Sequence, residues 1–486
     1  MTFGKLIGVF LLAAAAMNIL FLTWFPIEDN DIWWLLAAGR EMVQSGGILK
    51  SDVWSCTING QSWLNKYIPF EILVYMLYAK GGANALIALR SFFALLSAAA
   101  MFGIAALWGR RENSPALNIP LAASLLTLTG LLAAPRMFVR PELCSLVCFA
   151  IAVCLWENQR GKNLAASFVI AIVFLQIIWT NLHSAFILGY IVAGAYILES
   201  SPRRLWILPL LILSSLANPF GFRMLAGVLD VMRTPFFHNH LWEWLPLFHR
   251  SAPEPLRWLI IGTGALTLAG FALNRRRLRP AHILLFIFFF WMVFKARRHG
   301  GFFALSTAAA NLWNYGFIIE RLKSKLPNLA ARYSSLAVFI LLVLFSGMIP
   351  NGALFRAFGA KRPFGFGINR ARQPWDSAAY MKSANLRGNL FNGYDCGGFL
   401  IWMLAPDIRP CIDSRAEPFP PALIERHYRI IVGEESPDPF IEEFDISLAL
   451  IDNDDLSLLA HFNRKSGWRL IFSGYKAALF QKADER

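Results

Sequence analysis

The chain has 486 residues, of which 56% are hydrophobic and only 16% charged, and its mean hydropathy is +0.48. A soluble protein carries about 25% charged residues and has too little interior to bury this much apolar surface, which argues against a secreted or cytosolic enzyme. The net charge of +15 would suggest nucleic-acid binding in a soluble chain. Here much of that charge falls in short loops between apolar runs. The composition therefore predicts a polytopic membrane protein that contacts membrane lipids and binds no nucleic acid.

Eleven apolar runs predict membrane-spanning helices, although several are shorter than the roughly 17–25 residues that a span usually needs. The runs are Leu6–Trp24, Ala83–Trp108, Leu117–Ala134, Leu143–Trp156, Leu164–Thr180, Ala185–Leu198, Leu205–Ala217, Leu256–Leu273, Ile283–Phe294, Phe302–Ile319 and Ser335–Ile349. The first run exceeds the roughly 7–15 residues of a signal-peptide core, so we interpret it as an uncleaved first span.

The distribution of cations orients these spans, because cytoplasmic loops carry an excess of Lys and Arg. With a cytoplasmic N-terminus, five short cytoplasmic loops hold 14 cations: Arg110, Arg111, Arg160, Lys162, Arg203, Arg204, Arg275, Arg276, Arg277, Arg279, Arg321, Lys323, Lys325 and Arg332. One basic cluster, formed by Lys295, Arg297 and Arg298, falls on the outer side against this rule. An odd number of spans places the chain after Ile349 outside the cytoplasm.

The C-terminal part has a different pattern, with turn signals such as Asn392-Gly393 between short apolar runs. We predict strands at Phe399–Leu404, Ile446–Ile451 and Ala477–Phe480, and a helix at Ala422–Val432. The predicted fold class is thus an α-helical polytopic membrane protein with a small extracytoplasmic α/β domain. The predicted domains are residues 1–349, which include a first outer loop at 25–82, and residues 350–486.

Two contacts are predicted within the C-terminal domain. Asn392–Phe399 should lie against Asp413–Arg415, because the glycines of the first segment permit close backbone approach, and Asp413 should pair with Arg415. Cys144, Cys148 and Cys154 lie within one apolar run as small buried residues. A disulfide between Cys396 and Cys411 is left open.

The first outer loop begins with three carboxylates, Glu28, Asp29 and Asp31, followed by two tryptophans. One interpretation is a solvated start of the loop with an aromatic belt at the interface. The other is that Asp29 and Asp31 bind a divalent metal or act as a base, since an extended backbone would point both to one side. Ile32–Val43 then reads as an amphipathic helix on the membrane surface that ends at Gly46-Gly47.

Further polar residues occur at the outer ends of spans. Each has a structural interpretation, as a snorkelling cation or a helix cap. Together they predict a phosphate-binding site, because guanidinium groups match phosphate oxygens bidentately and ionisable groups at such positions are costly unless they pair or bind something. The candidate binding residues are Arg136, Arg140, His183, Glu243, Arg297 and Arg298.

Several of these residues belong to motifs that resemble a group of bacterial multi-pass membrane proteins placed with the GT-C superfamily of polyprenyl-phosphate-sugar-dependent glycosyltransferases. The resemblance covers nearly the whole chain. It rests on Asp29–Trp34, Gly39-Arg40, Gly47-Ile48, Asp52, Ser55, Thr57, Gly60, Trp63, Arg140-Pro141, Trp179–His183, Asn218–Gly221, Glu243-Trp244, Ala296–Arg298, Phe391–Leu400 and Ile412–Ala416. The chain departs from the group at Lys66-Tyr67-Ile68, where related sequences carry His-Glu-Trp, although Glu71 is retained.

The resemblance implies an inverting glycosyltransferase that moves a sugar from a polyprenyl phosphate to a glycan, lipid or protein acceptor on the outer side of a bacterial inner membrane. Asp29 or Asp31 would be the catalytic base, and a divalent cation such as Mg²⁺ or Mn²⁺ could bind there; no other cofactor is implied. Two alternatives remain open at this point. One is a non-catalytic component of envelope polysaccharide assembly, and the other is a transporter of lipid-linked saccharides.

Overall fold

The computed structural model describes residues 3–111, 113–233, 243–323, 328–357, 362–415 and 417–483. Its α-helices in these ranges are α1 (Phe3–Thr23), α2 (Asp31–Ser45), α3 (Ile68–Trp108), α4 (Ile119–Ala133), α5 (Glu142–Gln159), α6 (Ala166–Leu182), α7 (Leu188–Ser200), α8 (Ile207–Ser214), α9 (Phe222–Arg233), α10 (Glu254–Leu273), α11 (Pro280–Lys295), α12 (Gly300–Lys323), α13 (Asn328–Met348), α14 (Ala353–Ala357), α15 (Trp375–Ser383), α16 (Tyr394–Leu404), α17 (Pro421–Ile431), α18 (Asp438–Glu443) and α19 (Leu456–Arg464). The strands are β1 (Gly388–Asn392), β2 (Ile408–Pro410), β3 (Ile446–Asp452), β4 (Trp468–Ser473) and β5 (Ala477–Lys482).

Apolar helices of membrane-spanning length confirm an integral membrane protein. Five helices in the described ranges are long and apolar enough to cross a membrane: Gly4–Thr23, Ile68–Trp108, Ile119–Arg136, Glu142–Gln159 and Glu254–Leu273. Shorter apolar helices are Ala166–Leu182, Ser184–Ser200, Pro280–Lys295 and Tyr333–Met348. Each predicted apolar run overlaps a helix, whereas the count of eleven spans stays a prediction.

The chain forms two compact units. The helical unit comprises Met1–Pro26, Leu86–Leu225 and Phe237–Gly367, and the mixed unit comprises Ile27–Ala85, Ala226–Phe236 and Ile368–Arg486. The border between them within α3 follows closely after Gly82, whose backbone (φ 59°, ψ −152°) interrupts the helix. The mixed unit therefore joins the first loop of the sequence to its C-terminal part.

Helix α12 is one of the most buried elements of the helical unit, with every residue from Gly300 to Asn314 buried. It packs against α4, α10 and α11, while α1 packs against α4 and α13. Its first half is rich in Gly and Ala, and small residues allow helices to approach closely in membrane proteins. At Gly301, for example, a Cβ atom would lie 2.9 Å from Leu146 Cδ2. This explains why the run Phe302–Ile319 forms the core of the bundle and not its lipid-facing rim.

The mixed unit is built on a five-stranded sheet with the strand order β2-β1-β3-β5-β4. Strand β1 runs parallel to β2 and β3, whereas β5 is antiparallel to both β3 and β4. The apolar cores of β3 and β5 are buried, as expected for strands covered by helices. The predicted strands Ile446–Ile451 and Ala477–Phe480 and the helix at Ala422–Val432 are thus confirmed.

The strand predicted at Phe399–Leu404 is wrong, because these residues form the second half of α16. Short apolar runs do not distinguish a buried helix from a strand. The helix is favoured by close packing at Gly397, where a Cβ atom would lie 1.9 Å from the Ile412 carbonyl oxygen. Asn392 Nδ2 also donates to the Ile412 carbonyl at 2.9 Å. The predicted approach of Asn392–Phe399 to Asp413–Arg415 is therefore confirmed.

Helix α2 begins at Asp31 and ends at a left-handed Gly46, as predicted. Most of the helix is buried and packs against α16 within the mixed unit, whereas its position on the membrane surface stays a prediction. Trp33 contacts Phe399 with 5.4 Å between ring centroids, and the Arg40 guanidinium lies 4.4 Å from the Trp402 ring. The apolar face that suggests contact with lipid is covered by protein.

Candidate functional site

Five charged side chains of the helical unit converge in what we call the arginine cluster: Arg136, Arg140, Glu142, Glu243 and Arg298. Glu243 Oε2 accepts from Arg136 Nη1 at 2.5 Å and from Arg140 Nη1 at 2.6 Å, and Arg298 Nη1 lies 3.5 Å from Glu243 Oε1. Arg136 also donates through Nε to Glu142 Oε2 at 3.2 Å. The structure therefore brings together four of the predicted binding residues and adds Glu142.

Local backbone structure places these side chains. Ala134–Arg136 is a single 3₁₀ turn, and successive backbone bonds from Phe138 to Arg136 and from Arg140 to Phe138 tighten the chain before α5 begins. Glu142 lies in the first turn of α5, where the helix dipole favours a carboxylate. Arg136, Arg140 and Glu142 are thereby held in place within one stretch of seven residues.

Glu243 and Arg298 lie on two further stretches of the chain, which main-chain hydrogen bonds hold together. Their side chains connect these stretches to Arg136 and Arg140. The Arg298 amide donates to the Glu243 carbonyl at 3.1 Å, and the Arg297 amide donates to the Leu245 carbonyl at 3.2 Å. The Arg298 guanidinium also stacks 4.4 Å from the ring of Trp244. The basic segment at 295–298, whose predicted outer position runs against the positive-inside rule, thus pairs with the segment that carries Glu243.

The electrostatics of the cluster keep Glu243 ionised. Burial alone would raise the pKa of its carboxyl, but Arg136, Arg140 and Arg298 lower that pKa well below its usual range. Arg136 is buried, whereas the side chains of Arg140 and Arg298 are each 20% exposed. Three guanidinium groups thus share two carboxylates, and the two partly exposed arginines are the members of the cluster that a ligand can reach.

Two other predicted binding residues have different partners. The Arg297 side chain donates to Ser251 Oγ at 3.1 Å, and burial together with the charge of Arg257 lowers the pKa of its guanidinium to about 10. His183 Nδ1 lies 2.7 Å from Ser145 Oγ, which also accepts from Trp179 Nε1 at 2.7 Å. His183 therefore ties the end of α6 to α5, which agrees with its structural interpretation.

The predicted catalytic carboxylates, Asp29 and Asp31, lie in the mixed unit. Asp29 is buried, and its Oδ1 accepts from the Asp31 amide at 3.5 Å. Asn30 between them has helical backbone angles (φ −74°, ψ −32°). The extended backbone predicted to point both carboxylates to one side is therefore wrong. Asp31 instead occupies the first turn of α2, a favourable position for a carboxylate.

Within the mixed unit, Tyr394 lies in the field of several carboxylates. Burial raises the pKa of its hydroxyl well above the ordinary value, and the negative charges of Asp31, Asp413, Asp395 and Glu417 add to the effect. Its hydroxyl donates to the Ser414 carbonyl at 3.2 Å. Asp31 is thus one member of an acidic group that also contains residues from α16 and from the segment after β2.

Glu417 is held by two of the three residues at which the sequence departs from the resembling group. Tyr67 Oη donates to Glu417 Oε1 at 3.0 Å, and Lys66 Nζ lies 3.7 Å from the same oxygen. Lys66 is buried and also donates to the Gly227 carbonyl at 3.2 Å. Nearby, Asn65 Nδ2 donates to Glu71 Oε2 at 2.6 Å. Lys66 and Tyr67 therefore form a continuous polar network with Glu417.

A buried ion network connects the first loop to the C-terminal segment inside the mixed unit. Arg415 donates to Asp413 Oδ1 at 2.8 Å and to Asp413 Oδ2 and Asp52 Oδ2 at 2.6 Å each. The predicted pair of Asp413 with Arg415 is confirmed. The Trp54 and Trp63 rings lie 4.9 and 4.7 Å from the guanidinium carbon. Asp52, which belongs to the resembling motifs, thereby has a structural role.

Residues 28–31, which we call the acidic loop, fit only a metal ion that takes few of its ligands from the protein. No group of three or more His, Cys, Asp or Glu side chains that could hold a metal occurs in the described ranges. Mg²⁺ is commonly held by one or two carboxylates and completes its shell with water and substrate phosphate. Asp29 and Asp31 could supply that pair of ligands. All six cysteines are free thiols, including Cys396 and Cys411.

Sequence reasoning missed three polar residues of these sites. Glu142 had a usable signal, since it follows Arg136 and Arg140 closely and opens a helix. Tyr394 lies in the resembling motif Phe391–Leu400. Its proximity to Asp31, and that of Glu417 to Lys66, could not be deduced, because both depend on how the C-terminal chain folds back onto the first loop within the mixed unit.

Comparison with known proteins gives similarity at the level of fold. No protein-family profile matches the sequence, and no curated protein matches it. Among solved structures, the chain is similar to the oligosaccharyltransferase AglB of Archaeoglobus fulgidus in complex with an inhibitory peptide and a dolichol-phosphate. That match has a TM-score of 0.65 and 12% identity, and it covers 93% of this chain and 70% of AglB. An oligosaccharyltransferase of Archaeoglobus fulgidus in complex with zinc and sulfate matches with a TM-score of 0.60 and 12% identity, over 91% of this chain and 68% of that chain.

A second protein matches along its whole length. ArnT from Cupriavidus metallidurans bound to undecaprenyl phosphate has a TM-score of 0.56 and 13% identity, with 100% of this chain and 99% of ArnT covered. AglB and ArnT are both GT-C glycosyltransferases, so the resemblance inferred from the motifs is confirmed for the fold. The chain is a membrane protein with the fold of the GT-C glycosyltransferases.

Proposed function

We propose that the protein is an inverting membrane glycosyltransferase that moves a sugar from a polyprenyl-phosphate donor to an envelope glycan, lipid or protein. The observation that carries the proposal is the arginine cluster, in which three guanidinium groups share Glu243 within a GT-C fold. Fold neighbours were solved with dolichol-phosphate and with undecaprenyl phosphate. A lipid phosphate is therefore the anion that we assign to the cluster.

The arginine cluster suits a phosphate leaving group. As the bond between the anomeric carbon and the phosphate oxygen breaks, negative charge grows on the departing lipid phosphate. Preorganised cations lower the barrier of such a step because they are aimed at that charge before it develops. Arg140 and Arg298 present the exposed donors, and their ion pairs with Glu243 fix the positions of both guanidinium groups. A phosphate can accept from the exposed N–H groups without breaking these ion pairs completely.

We assign the acceptor side of the reaction to the acidic loop. One carboxylate, Asp31 or Asp29, takes the proton of the acceptor hydroxyl, and the acceptor oxygen attacks the anomeric carbon opposite the leaving phosphate. This displacement inverts the configuration at that carbon and releases the polyprenyl phosphate. A divalent cation bound by the same carboxylates would polarise the acceptor hydroxyl as a Lewis acid.

A transfer assay tests the proposal. Purified protein in lipid nanodiscs is incubated with radiolabelled polyprenyl-phosphate sugars and an envelope extract, and both donor loss and labelled products are measured. We expect donor consumption by the wild type and its loss in the Arg140→Ala variant, whereas Arg429→Ala, an exposed arginine of α17, serves as the matched control. A folded wild-type protein that consumes none of the donors would favour a non-catalytic assembly component.

The proposed orientation places the C-terminus outside the cytoplasm of a bacterial cell. A reporter that is active only outside the cytoplasm, fused after residue 486, should therefore be active. Activity of a cytoplasm-dependent reporter at the same position would contradict the orientation, and with it the assignment of the reaction to the outer face.

A further inference from the structure

A groove of about 570 Å³ lies in the mixed unit beside the start of α15, α16 and the turn between β4 and β5. This volume falls within the range of roughly 300–1,000 Å³ that is typical of small-molecule sites. The residues that matter for its chemistry are Arg370, Trp375, Asp376, Ala379, Met403 and Tyr475. None of them belongs to the arginine cluster or to the acidic loop.

Two aromatic rings of the groove are held firmly in place. Trp375 packs edge-on against Trp33 and Phe399, with 5.4 and 4.7 Å between ring centroids. Tyr475 is 55% exposed, but its hydroxyl donates to the Gln373 carbonyl at 2.5 Å and also to the Arg370 carbonyl. A partly exposed ring that is fixed by its own hydroxyl offers a flat apolar surface at little cost in side-chain entropy.

Charged groups border this aromatic surface. The Arg370 guanidinium carbon lies 5.3 Å from the Trp375 ring centre. Asp376 Oδ2 accepts from the Tyr475 amide at 2.7 Å and Oδ1 accepts from the Ser377 amide at 2.9 Å, and the remaining lone pairs of the carboxylate can accept from a ligand. A pyranose ring has apolar C–H faces and a rim of hydroxyls, so it can stack on the rings while its hydroxyls bond to both charges. An acyl chain would instead leave Arg370 and Asp376 facing hydrocarbon.

The wall of the groove is attached to the acidic loop. Segment 370–376 contacts residues 28–33 through three pairs that follow one another along both segments. Arg372 Nη2 lies 3.9 Å from Glu28 Oε2, Gln373 Nε2 donates to Asn30 Oδ1 at 2.8 Å, and Trp375 packs on Trp33. Asn30 lies between the two candidate bases, so the segment that forms one wall of the groove also contacts the loop that would deprotonate the acceptor.

We infer that this groove is the docking site for a saccharide acceptor, with a pyranose ring stacked on Trp375 and Tyr475 and its hydroxyls bonded to Asp376 and Arg370. The inference rests on the proposed transferase function, whose acceptor class it narrows to a glycan. Acceptor binding is thereby assigned to the mixed unit, next to the candidate bases.

The experiment fills the groove and measures acceptor dependence. With the nanodisc-bound protein, an envelope glycan fraction is titrated at a fixed concentration of the polyprenyl-phosphate sugar. Ala379→Phe places a ring in the groove from an exposed position, and Tyr475→Ala removes a stacking surface. We expect each to raise the glycan concentration at half-maximal rate by about 10-fold, the effect of one lost aromatic contact, with the donor KM unchanged. Tyr475→Phe retains the ring and should raise the glycan concentration at half-maximal rate much less.

Matched controls are Ala422→Phe and Tyr428→Ala, which make the same changes at exposed positions of α17. Unchanged glycan dependence in both groove variants would overturn the inference, as would transfer by the wild type only to lipid or protein. A direct measurement separates this from failure of the proposed function. Saturation-transfer NMR with the same glycan fraction should show pyranose signals for the wild type that Ala379→Phe abolishes, even if no donor is consumed. Equal signals in both proteins would refute docking in the groove.

Discussion

Replacement of Arg415 gives the most direct test of how the mixed unit is held together. Its guanidinium, Asp52 and Asp413 are all fully buried, with both ion pairs at 2.6 Å. Burial alone would lower the pKa of Arg415, but the two carboxylates raise it above the ordinary value. Arg415→Met keeps the apolar stem and removes the charge, so two buried carboxylates are left facing each other.

The cost follows from the broken ion pairs. Removing one partner of a buried pair typically destabilises a protein by about 3–5 kcal/mol, because a charge is left without compensation. Here one of the two carboxylates can escape by taking up a proton, which limits the loss. We therefore expect Arg415→Met to lower the free energy of unfolding of the mixed unit by about 4 kcal/mol. Adding Asp52→Asn and Asp413→Asn should restore part of the lost free energy of unfolding, since no charge then remains in the buried network.

Hydrogen exchange of the β1 amides in the full-length protein measures this loss. The control is Arg426→Met on the same unit, where the arginine is 24% exposed and pairs with Glu435 at 2.9 Å. An exposed pair contributes only about 0–1 kcal/mol. Equal effects of Arg415→Met and Arg426→Met would refute the conclusion that the buried network holds the first loop onto the C-terminal chain.

The remaining predictions concern catalysis and pH. Loss of a general base typically slows turnover by about 10²–10⁴-fold, so Asp31→Asn combined with Asp29→Asn should nearly abolish sugar transfer without lowering expression; wild-type rates would remove the loop from the mechanism. Arg140→Lys should also impair transfer, since lysine keeps the charge but loses the bidentate fork, and unchanged kcat/KM would count against phosphate binding there. Burial lowers the pKa of His427 to about 4 from an ordinary 6.5, so protonation favours the unfolded state. Stability should then fall by roughly 3 kcal/mol between pH 7 and pH 4, a dependence that His427→Gln should flatten when followed by hydrogen exchange.

The elements of the helical unit could be predicted from sequence because lipid imposes length and hydrophobicity on every span. The strands β3 and β5 were predictable for a similar reason, since their apolar runs are bounded by turns. Helix α16 was not, because its apolar run is too short to distinguish a helical period from that of a strand.

Candidate residues followed the same division. Arg136, Arg140 and Arg298 could be predicted as a group, since charges at the ends of apolar runs are costly and require partners. Their shared partner Glu243 was predicted too, but as a ligand-binding residue and not as the acceptor of three guanidiniums. The neighbourhood of Asp31, by contrast, is formed by the C-terminal chain, and its composition could not be deduced from the spacing of residues in the first loop.

A second buried charge cluster in the helical unit shows why the arginine cluster is the better candidate for binding. Glu157, near the other end of α5, accepts from Trp108 Nε1 at 2.9 Å, Tyr196 Oη at 2.7 Å, Arg279 Nη1 at 3.1 Å and His282 Nε2 at 3.0 Å.

Exposure separates the two clusters. Arg279 and His282 are buried to 5% and 1% exposure, and the Glu157 carboxylate is completely buried. The charged groups of this cluster hold helices of the bundle together. Such contacts matter inside a membrane because lipid supplies no hydrophobic driving force between helices. Arg140 and Arg298 keep a fifth of their side chains exposed while they remain charged and paired. An ion pair that only stabilises the fold needs no exposed surface, whereas a ligand anion must reach its site from outside when it binds. The arginine cluster is therefore the better candidate site for a phosphate.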